Sequence, residues 1–197
     1  MNQPQELPIF PLGTVLYPDG RLPLRIFEPR YVEMTRECLR TGSGFGVCLI
    51  LDGREAGEPA VPHTIGCSAS VVEREELSPG LFNLLARGDT RFRILERRVA
   101  ADGLIHAQVE WLNTEAPIAV PEDHLLAPLL LQRLSNEVGV GMVPMPHRLD
   151  DAAWVAHRLA EILPLPLAAK QRILECDDSL EKLEIVMRQL RSIGDFG

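Results

Sequence analysis

The sequence RLPLRIFEPRY, residues 21–31, says more about the fold than any other stretch of this chain. Its first half places leucine or isoleucine at every second position, which predicts an extended strand. Glu28-Pro29 ends that strand, because the fixed φ of proline suits the first position of a helix. From Tyr31 onward, apolar positions recur at helical spacing until Gly42, which can end a helix with a positive φ. A strand and a helix joined without a loop fix each other's direction, so this unit sets the geometry of a domain.

Two further segments near the start predict strands. Residues 7–12 predict a short strand at a sheet edge or barrel rim, because Pro8 and Pro11 each remove a ladder hydrogen bond. Residues 45–51 form a nearly continuous apolar run, which is typical of a strand buried on both faces. Residues 52–63 contain two glycines and two prolines, a composition typical of a loop.

The stretch from Thr64 to Leu112 predicts an antiparallel meander. One turn is expected at residues 77–80 and a second at Gly88-Asp89-Thr90. The adhesion-type tripeptide Arg87-Gly88-Asp89 is therefore interpreted as part of a hairpin turn. About six strands, counted with those at the start, are expected to curl into a small closed or half-closed barrel.

Beyond a proline-bearing linker at residues 115–121, apolar residues recur at helical spacing. This spacing predicts a bundle of about four helices, so the chain divides into a β-rich part, residues 1–115, and a helical part, residues 116–197. The helices are expected at about 125–138, ended by Gly139; at 150–163, capped by Asp150; at 167–175; and from the capping box Asp178-Ser179-Leu180-Glu181 onward.

The first and last of these helices have clear apolar faces, which we expect to be buried. The face of the first helix consists of Leu125, Leu126, Leu129, Leu130, Leu134 and Val138. The face of the last helix consists of Leu180, Leu183, Val186, Met187 and Leu190.

Composition indicates a soluble protein and argues against several functional classes. No apolar run in the 197 residues approaches the roughly 20 needed to cross a bilayer. Residues 1–6 lack the basic start and apolar centre of a secretory signal, so we expect a cytoplasmic location. The net charge of −8 and the pI near 5.2 argue against a nucleic-acid partner. The four cysteines contain no C-x-x-C pair, so structural disulfides are not expected, and Cys48 and Cys67, which lie in predicted strands, are expected to be buried thiols.

Several motifs together carry a family resemblance. LPIFPL at residues 7–12, VLYP at 15–18 and LPLRIFEPRY at 22–31 closely resemble the opening of the Lon (La) protease N-terminal substrate-binding domain. The resemblance continues at residues 44–47, 81–88, 91–94 and 159–165, and so covers most of the chain. It implies an α+β fold: an N-terminal PUA-like antiparallel β pseudobarrel with one inserted helix, followed by a C-terminal helical bundle.

The motifs of catalysis are missing from this sequence. The P-loop G-x-x-x-x-G-K-[ST] is absent, and the serine–lysine pair of the resembled family's proteolytic part has no counterpart. Lys170 and Lys182 are the lysines of the chain, and Ser179 precedes Lys182 within a helical turn expected to be exposed. No histidines have metal-ligand spacing. We therefore expect a stand-alone, non-catalytic module without the ATPase and protease parts, and without a cofactor or metal.

Seven residues near the strand–helix junction are candidates for a polypeptide-binding site: Phe10, Leu12, Arg25, Phe27, Glu28, Arg30 and Tyr31. In a structural interpretation, Glu28 caps the helix, Arg25 or Arg30 pairs with a carboxylate, and Tyr31 packs against the barrel. In a functional interpretation, the junction borders a groove where an extended peptide adds as a strand. Exposed Phe10, Leu12 and Phe27 would then hold unfolded segments.

Three hypotheses about function follow. The first is a Lon-substrate-binding-domain-like module that binds peptides or unfolded protein segments, or acts as an adaptor for a protein partner, as a monomer or weak dimer. The alternative is a PUA-like barrel that binds a small molecule or a nucleic-acid component, which requires a concave pocket with convergent polar groups. The third is an uncharacterised enzyme, which requires a deep cleft with paired titratable side chains.

Overall fold

The structure is a computed structural model that describes residues 5–114, 116–137 and 143–193. The chain divides into two compact units, residues 1–113 and residues 114–197. The first is built around strands and the second around helices, so the predicted α+β class is confirmed. That the two parts are separate folding domains, divided near residue 115, stays a prediction.

The first unit contains seven strands and one helix among the described residues. Their bounds are β1 Gln5–Leu12, β2 Arg21–Ile26, α1 Pro29–Thr41, β3 Phe45–Asp52, β4 Val61–Pro62, β5 Ile65–Ser78, β6 Leu81–Val99 and β7 Ile105–Trp111. The predicted strand–helix unit is thus present as β2 and α1. Gly42 ends α1 in the left-handed region with φ 70°, as its position predicted.

Five strands close into a barrel. β1 is antiparallel to β7 on one side and parallel to β3 on the other, and β3, β5, β6 and β7 follow one another in antiparallel pairs. Ile9, Phe92, Ile105 and Val109 are almost fully buried in the same cluster of its interior. The structure therefore confirms the predicted pseudobarrel.

β1 is not an edge strand, which was one of the two positions that its prolines predicted, because it has a neighbouring strand on each side. Residues 5–9 pair with β7, whereas residues 9–12 pair with β3. Pro8 and Pro11 each lie where a single neighbouring strand is paired, so the missing N–H can face away from that neighbour. The sheet-edge alternative is therefore wrong for β1 as a whole, although most residues of the strand pair with only one neighbour.

β6 is one continuous strand of 19 residues, so the predicted turn at residues 88–90 is wrong. Arg87-Gly88-Asp89 accordingly lies inside a strand and not in a hairpin turn. A Cβ atom at Gly88 would lie 2.1 Å from the carbonyl oxygen of Tyr17. Gly88 also accepts a hydrogen bond from Asp19 N–H and donates one to the Gly20 carbonyl. The glycine thus permits a close backbone approach, and it does not mark a turn.

β2 lies outside the closed ring. It pairs antiparallel with residues 82–87 in the first half of β6 and with no other strand among the described residues. The opposite side of β2 therefore presents backbone groups that no neighbouring described strand pairs; we call this side the β2 edge.

The second unit contains a 3-10 turn, Glu122–His124, and four helices: α2 Leu126–Glu137, α3 Ala152–Ile162, α4 Leu167–Glu175 and α5 Ser179–Ile193. The helix predicted at residues 167–175 is confirmed at both ends as α4. Asp151, one residue later than predicted, caps α3 by accepting hydrogen bonds from the N–H groups of Ala153 and Trp154. Val138 and Gly139, predicted to end the first helix, lie outside the described residues.

The buried faces of α2 and α5 differ from the prediction. α2 buries Ala127 and Leu131, while Leu125, Leu126 and Leu129 are exposed. Leu183, Val186, Met187 and Leu190 of α5 are buried as predicted, but Leu180 is exposed. Ser179 and Lys182 are both buried, contrary to the expected exposed turn. No helix of the described residues is long and apolar enough to cross a membrane.

Candidate functional site

A groove of about 330 Å³ runs beside the β2 edge. All of β2 from Leu22 to Ile26 lines it, together with Phe27 and Glu28. The other wall is formed by Thr14, just after β1, and by a loop that contains Glu55 and Ala56. Six of the seven residues predicted from the sequence line this groove: Phe10, Leu12, Arg25, Phe27, Glu28 and Tyr31.

The floor of the groove is aromatic and part of the core. Phe10 and Leu12 are each only 6% exposed, so the expectation that both would grip a partner as exposed residues is wrong. The Phe10 ring stacks on Tyr31 with centroids 4.0 Å apart, and Phe45 lies beyond it at 6.3 Å. Phe10 is packed between these rings, and its strand, β1, has a neighbouring strand on each side.

Phe27 is the exposed aromatic residue of the groove. Its side chain is 61% exposed, immediately after the last residue of β2. Single exposed apolar side chains are common on protein surfaces, so what distinguishes Phe27 is that it lines the groove at the end of an unpaired strand edge. It is therefore the groove residue best placed to contact another molecule.

Glu28 and Arg30 form an ion pair beside the groove. The Arg30 guanidinium donates to the Glu28 carboxylate at 2.9 Å, and it lies over the Tyr31 ring at 4.7 Å from the centroid. Glu28 occupies the N-cap position of α1, but its side chain makes no capping hydrogen bond, so that part of the structural interpretation is wrong. The carboxylate is engaged by Arg30 instead. Arg30 does not line the groove.

Tyr31 is buried beside these charges. Burial raises the pKa of its hydroxyl; Arg30 opposes this shift, whereas Glu28 and Glu55 add to it. Tyr31 is thus a neutral, packed floor residue, consistent with the predicted packing against the barrel.

Sequence reasoning missed the loop wall of the groove. Glu55 accepts a hydrogen bond from Gly13 N–H, which fastens the loop to the end of β1. The two residues are 42 positions apart, and the composition of residues 52–63 indicated only a loop. No local sequence pattern predicts such a contact, because the contact depends on which distant strand end lies next to the loop.

Metal binding and thiol chemistry can be checked directly in the described residues. Within residues 5–114, 116–137 and 143–193, no group of three or more His, Cys, Asp or Glu side chains could hold a metal ion. Cys48 and Cys67 are buried as predicted, and burial raises the pKa of the Cys48 thiol far above its ordinary value. A thiol of this kind is not ionised and is a poor nucleophile.

A closed barrel with an attached edge strand, a groove along that edge and an exposed aromatic residue at its end define a binding module of the α+β class. The chain belongs to the family described as the ATP-dependent protease La (LON) substrate-binding domain, which it matches over residues 6–192. The resemblance to this family predicted from the sequence is confirmed.

Known proteins agree with this assignment. A crystal structure of a Lon N-terminal domain protein from Xanthomonas campestris is 36% identical, with a TM-score of 0.78, and the match covers 93% of this chain and 98% of that one. The Lon protease of Escherichia coli K12 is 26% identical over 97% of this chain and 25% of its own length. A LON peptidase N-terminal domain and RING finger protein of Schizosaccharomyces pombe is 28% identical over 98% of this chain and 46% of its own. The chain spans about a quarter of the Lon proteases that it matches.

Proposed function

We propose that this chain is a non-catalytic module that binds extended polypeptide segments along the β2 edge. The observation that carries the proposal is the coincidence of three features in one place. The unpaired side of β2, the groove along it and the exposed Phe27 all lie together. The family description, a substrate-binding domain of a protease, supports a polypeptide ligand.

Backbone pairing supplies the first part of the interaction. An extended segment can add to an exposed sheet edge through main-chain hydrogen bonds that do not depend on its sequence. β2, Arg21–Ile26, offers such an edge, at which every second residue directs its backbone groups away from β6. This mode suits a module that must accept many unfolded segments.

Side-chain contacts supply the second part. The groove volume of about 330 Å³ is at the lower end of ordinary ligand sites, ~300–1,000 Å³. It has room for one or two side chains and not for a folded domain. Phe27, with the rings of Phe10 and Tyr31 behind it, favours aromatic or large apolar side chains of the bound segment.

The test is a titration of this protein with a fluorescently labelled, reduced and carboxymethylated lactalbumin, which cannot refold. Phe27→Asp is expected to weaken binding at least about tenfold, as loss of an aromatic anchor does. Leu95→Asp is the matched control, because Leu95 is also an exposed apolar residue of this unit but lies in the second half of β6, which pairs with β7.

Circular dichroism must show that both variants remain folded. Equal affinities of the two variants, or no binding by the unaltered protein, would contradict the proposal. An adaptor role predicts a narrower result: the unfolded probe binds weakly, and affinity capture recovers one stoichiometric partner that Phe27→Asp loses.

A further inference from the structure

Helix α2 and the residue before it carry an apolar stripe that the described residues leave exposed. Leu126 and Leu129 are 61% and 62% exposed, and the neighbouring Leu125 is also exposed; we call these three residues the α2 stripe. Ala127 and Leu131 form the buried side of the same helix. α2 packs against α3.

Such a stripe is larger than the scattered single apolar residues of an ordinary surface. Three leucines, each at least half exposed, lie within five consecutive residues. Contiguous exposed apolar patches mark interaction surfaces. The position of the stripe on a regular helix favours a second helix as the covering element.

The charges that flank the stripe are complementary to those of a second copy of α2. Glu122 lies in the turn before it and Arg133 one helical turn after Leu129; both are exposed. Along the chain, the exposed acidic residues Glu122 and Asp123 therefore precede the stripe and the exposed basic residue Arg133 follows it. When two copies of this order run antiparallel about a two-fold axis, Leu126 of each faces Leu129 of the other. The same axis places Arg133 of each copy opposite Glu122 of the other.

We propose that two copies of this chain form a homodimer by antiparallel pairing of their α2 helices. Arg133 is available for this contact, because its pairing with Glu137 at 3.5 Å is between exposed groups and contributes little stability. The net charge of −8 opposes association of copies at random. Pairing is thus directed to the place where opposite charges meet, and one helix face per copy makes the dimer weak and concentration-dependent.

The first experiment is a concentration series by sedimentation velocity. The unaltered protein is expected to convert from monomer to dimer as its concentration rises. Leu129→Asp is expected to raise the dimer dissociation constant at least about tenfold, because it puts a charge into an apolar contact. Leu167→Asp is the control; it adds the same charge at an exposed leucine of α4, which packs against α3 and α5.

The second experiment exchanges the charges. Arg133→Glu and Glu122→Arg are each expected to weaken self-association, since each creates a like-charge pair across the axis. A mixture of the two variants restores opposite charges at both contacts, so mixed dimers should form in preference to either homodimer, as energy transfer between differently labelled variants would show.

Substitutions at these exposed positions are expected to leave the fold unchanged, and circular dichroism would verify this. A monomer at every accessible concentration would overturn the proposal. So would equal effects of Leu129→Asp and Leu167→Asp, or a mixture that associates no better than its components.

Discussion

At the scale of single residues, the groove shows how two phenylalanines of one site take opposite roles. Phe10 is enclosed by the rings of Tyr31 and Phe45, whereas Phe27 projects into water. Phe10 lies in a predicted strand and Phe27 at the end of another, so the sequence could select both as candidates. It could not separate them, because the difference arises from whether each strand is interior to the barrel or at its edge.

His124 is another residue whose role depends on distant neighbours. Its ring nitrogens lie 2.8 Å from an Asp123 carboxylate oxygen and 3.0 Å from one of Glu184 on α5. Arg191 and Arg188 also face Glu184. Hydrogen bonds to Asp123 and then Glu184 raise the pKa of His124, against the effect of burial, while the pKa values of both carboxyls are lowered chiefly by the bond to His124.

These shifts predict a pH-dependent contribution to stability. A raised histidine pKa stabilises the fold fully below the ordinary value of 6.5 and less as pH rises through the folded-state pKa. A lowered Glu184 pKa stabilises above the ordinary value of 4.5 and less as pH falls through the folded-state pKa. His124→Gln should therefore lower the free energy of unfolding most between pH 4.5 and 6.5, and less at higher pH.

Urea denaturation of both proteins across this range measures the difference. A loss of stability that is the same at every pH would show that His124 acts only by packing, and a histidine titration followed by NMR would then show no raised pKa.

At the scale of elements, β6 organises the first unit. Its first half pairs with β2 and β5, and its second half with β5 and β7. Most strand and helix positions could be predicted because periodicity and capping are local. The continuity of β6 through Gly88 could not, because a glycine in a turn and a glycine against a distant backbone look alike in sequence.

Gly88→Ala is expected to destabilise the protein by about 1–3 kcal/mol or more, the cost of overpacking. The methyl group would meet the backbone oxygen of Tyr17, which cannot rotate away. Gly57→Ala provides the comparison, since Gly57 has a positive φ but no atom near its Cβ position. Thermal denaturation should rank Gly88→Ala as clearly the more damaging; the reverse order would mean that backbone conformation matters more than the close approach.

β2 has an unpaired edge but also carries residues that disfavour pairing with other sheet edges. Pro23 lacks an N–H and Arg25 carries a charge, two features that disfavour uncontrolled pairing between sheet edges. Both were visible in the sequence, but the groove beside them was not, since its second wall depends on the Gly13–Glu55 contact.

At the scale of the whole molecule, the family and the order of β-rich and helical parts could be predicted from motifs that run the length of the chain. The surface of α2 could not be predicted, because an amphipathic pattern shows that a face is apolar and not whether its own unit covers it. The exposed leucines of α2 are the clearest example.

The groove lies entirely within the first unit, so a fragment of residues 1–115 is expected to fold alone and to bind the unfolded probe as tightly as the full chain. The closed barrel supplies its own core, which is the physical reason. NMR dispersion and the same fluorescence titration test this. An unfolded fragment would contradict the predicted division, whereas a folded fragment that does not bind would show that the helical unit contributes to recognition.

The length of β6 also determines how the module responds to force. In the proposed binding mode, a segment that lies along β2 and is pulled lengthwise would load the β2–β6 hydrogen bonds in shear, across all residue pairs from Arg21–Arg87 to Ile26–Phe82 together. β6 then carries the tension past Gly88 into a ring of strands that has no open seam. In the proposed binding mode, a polypeptide under traction would therefore pull against strands that are paired within the barrel.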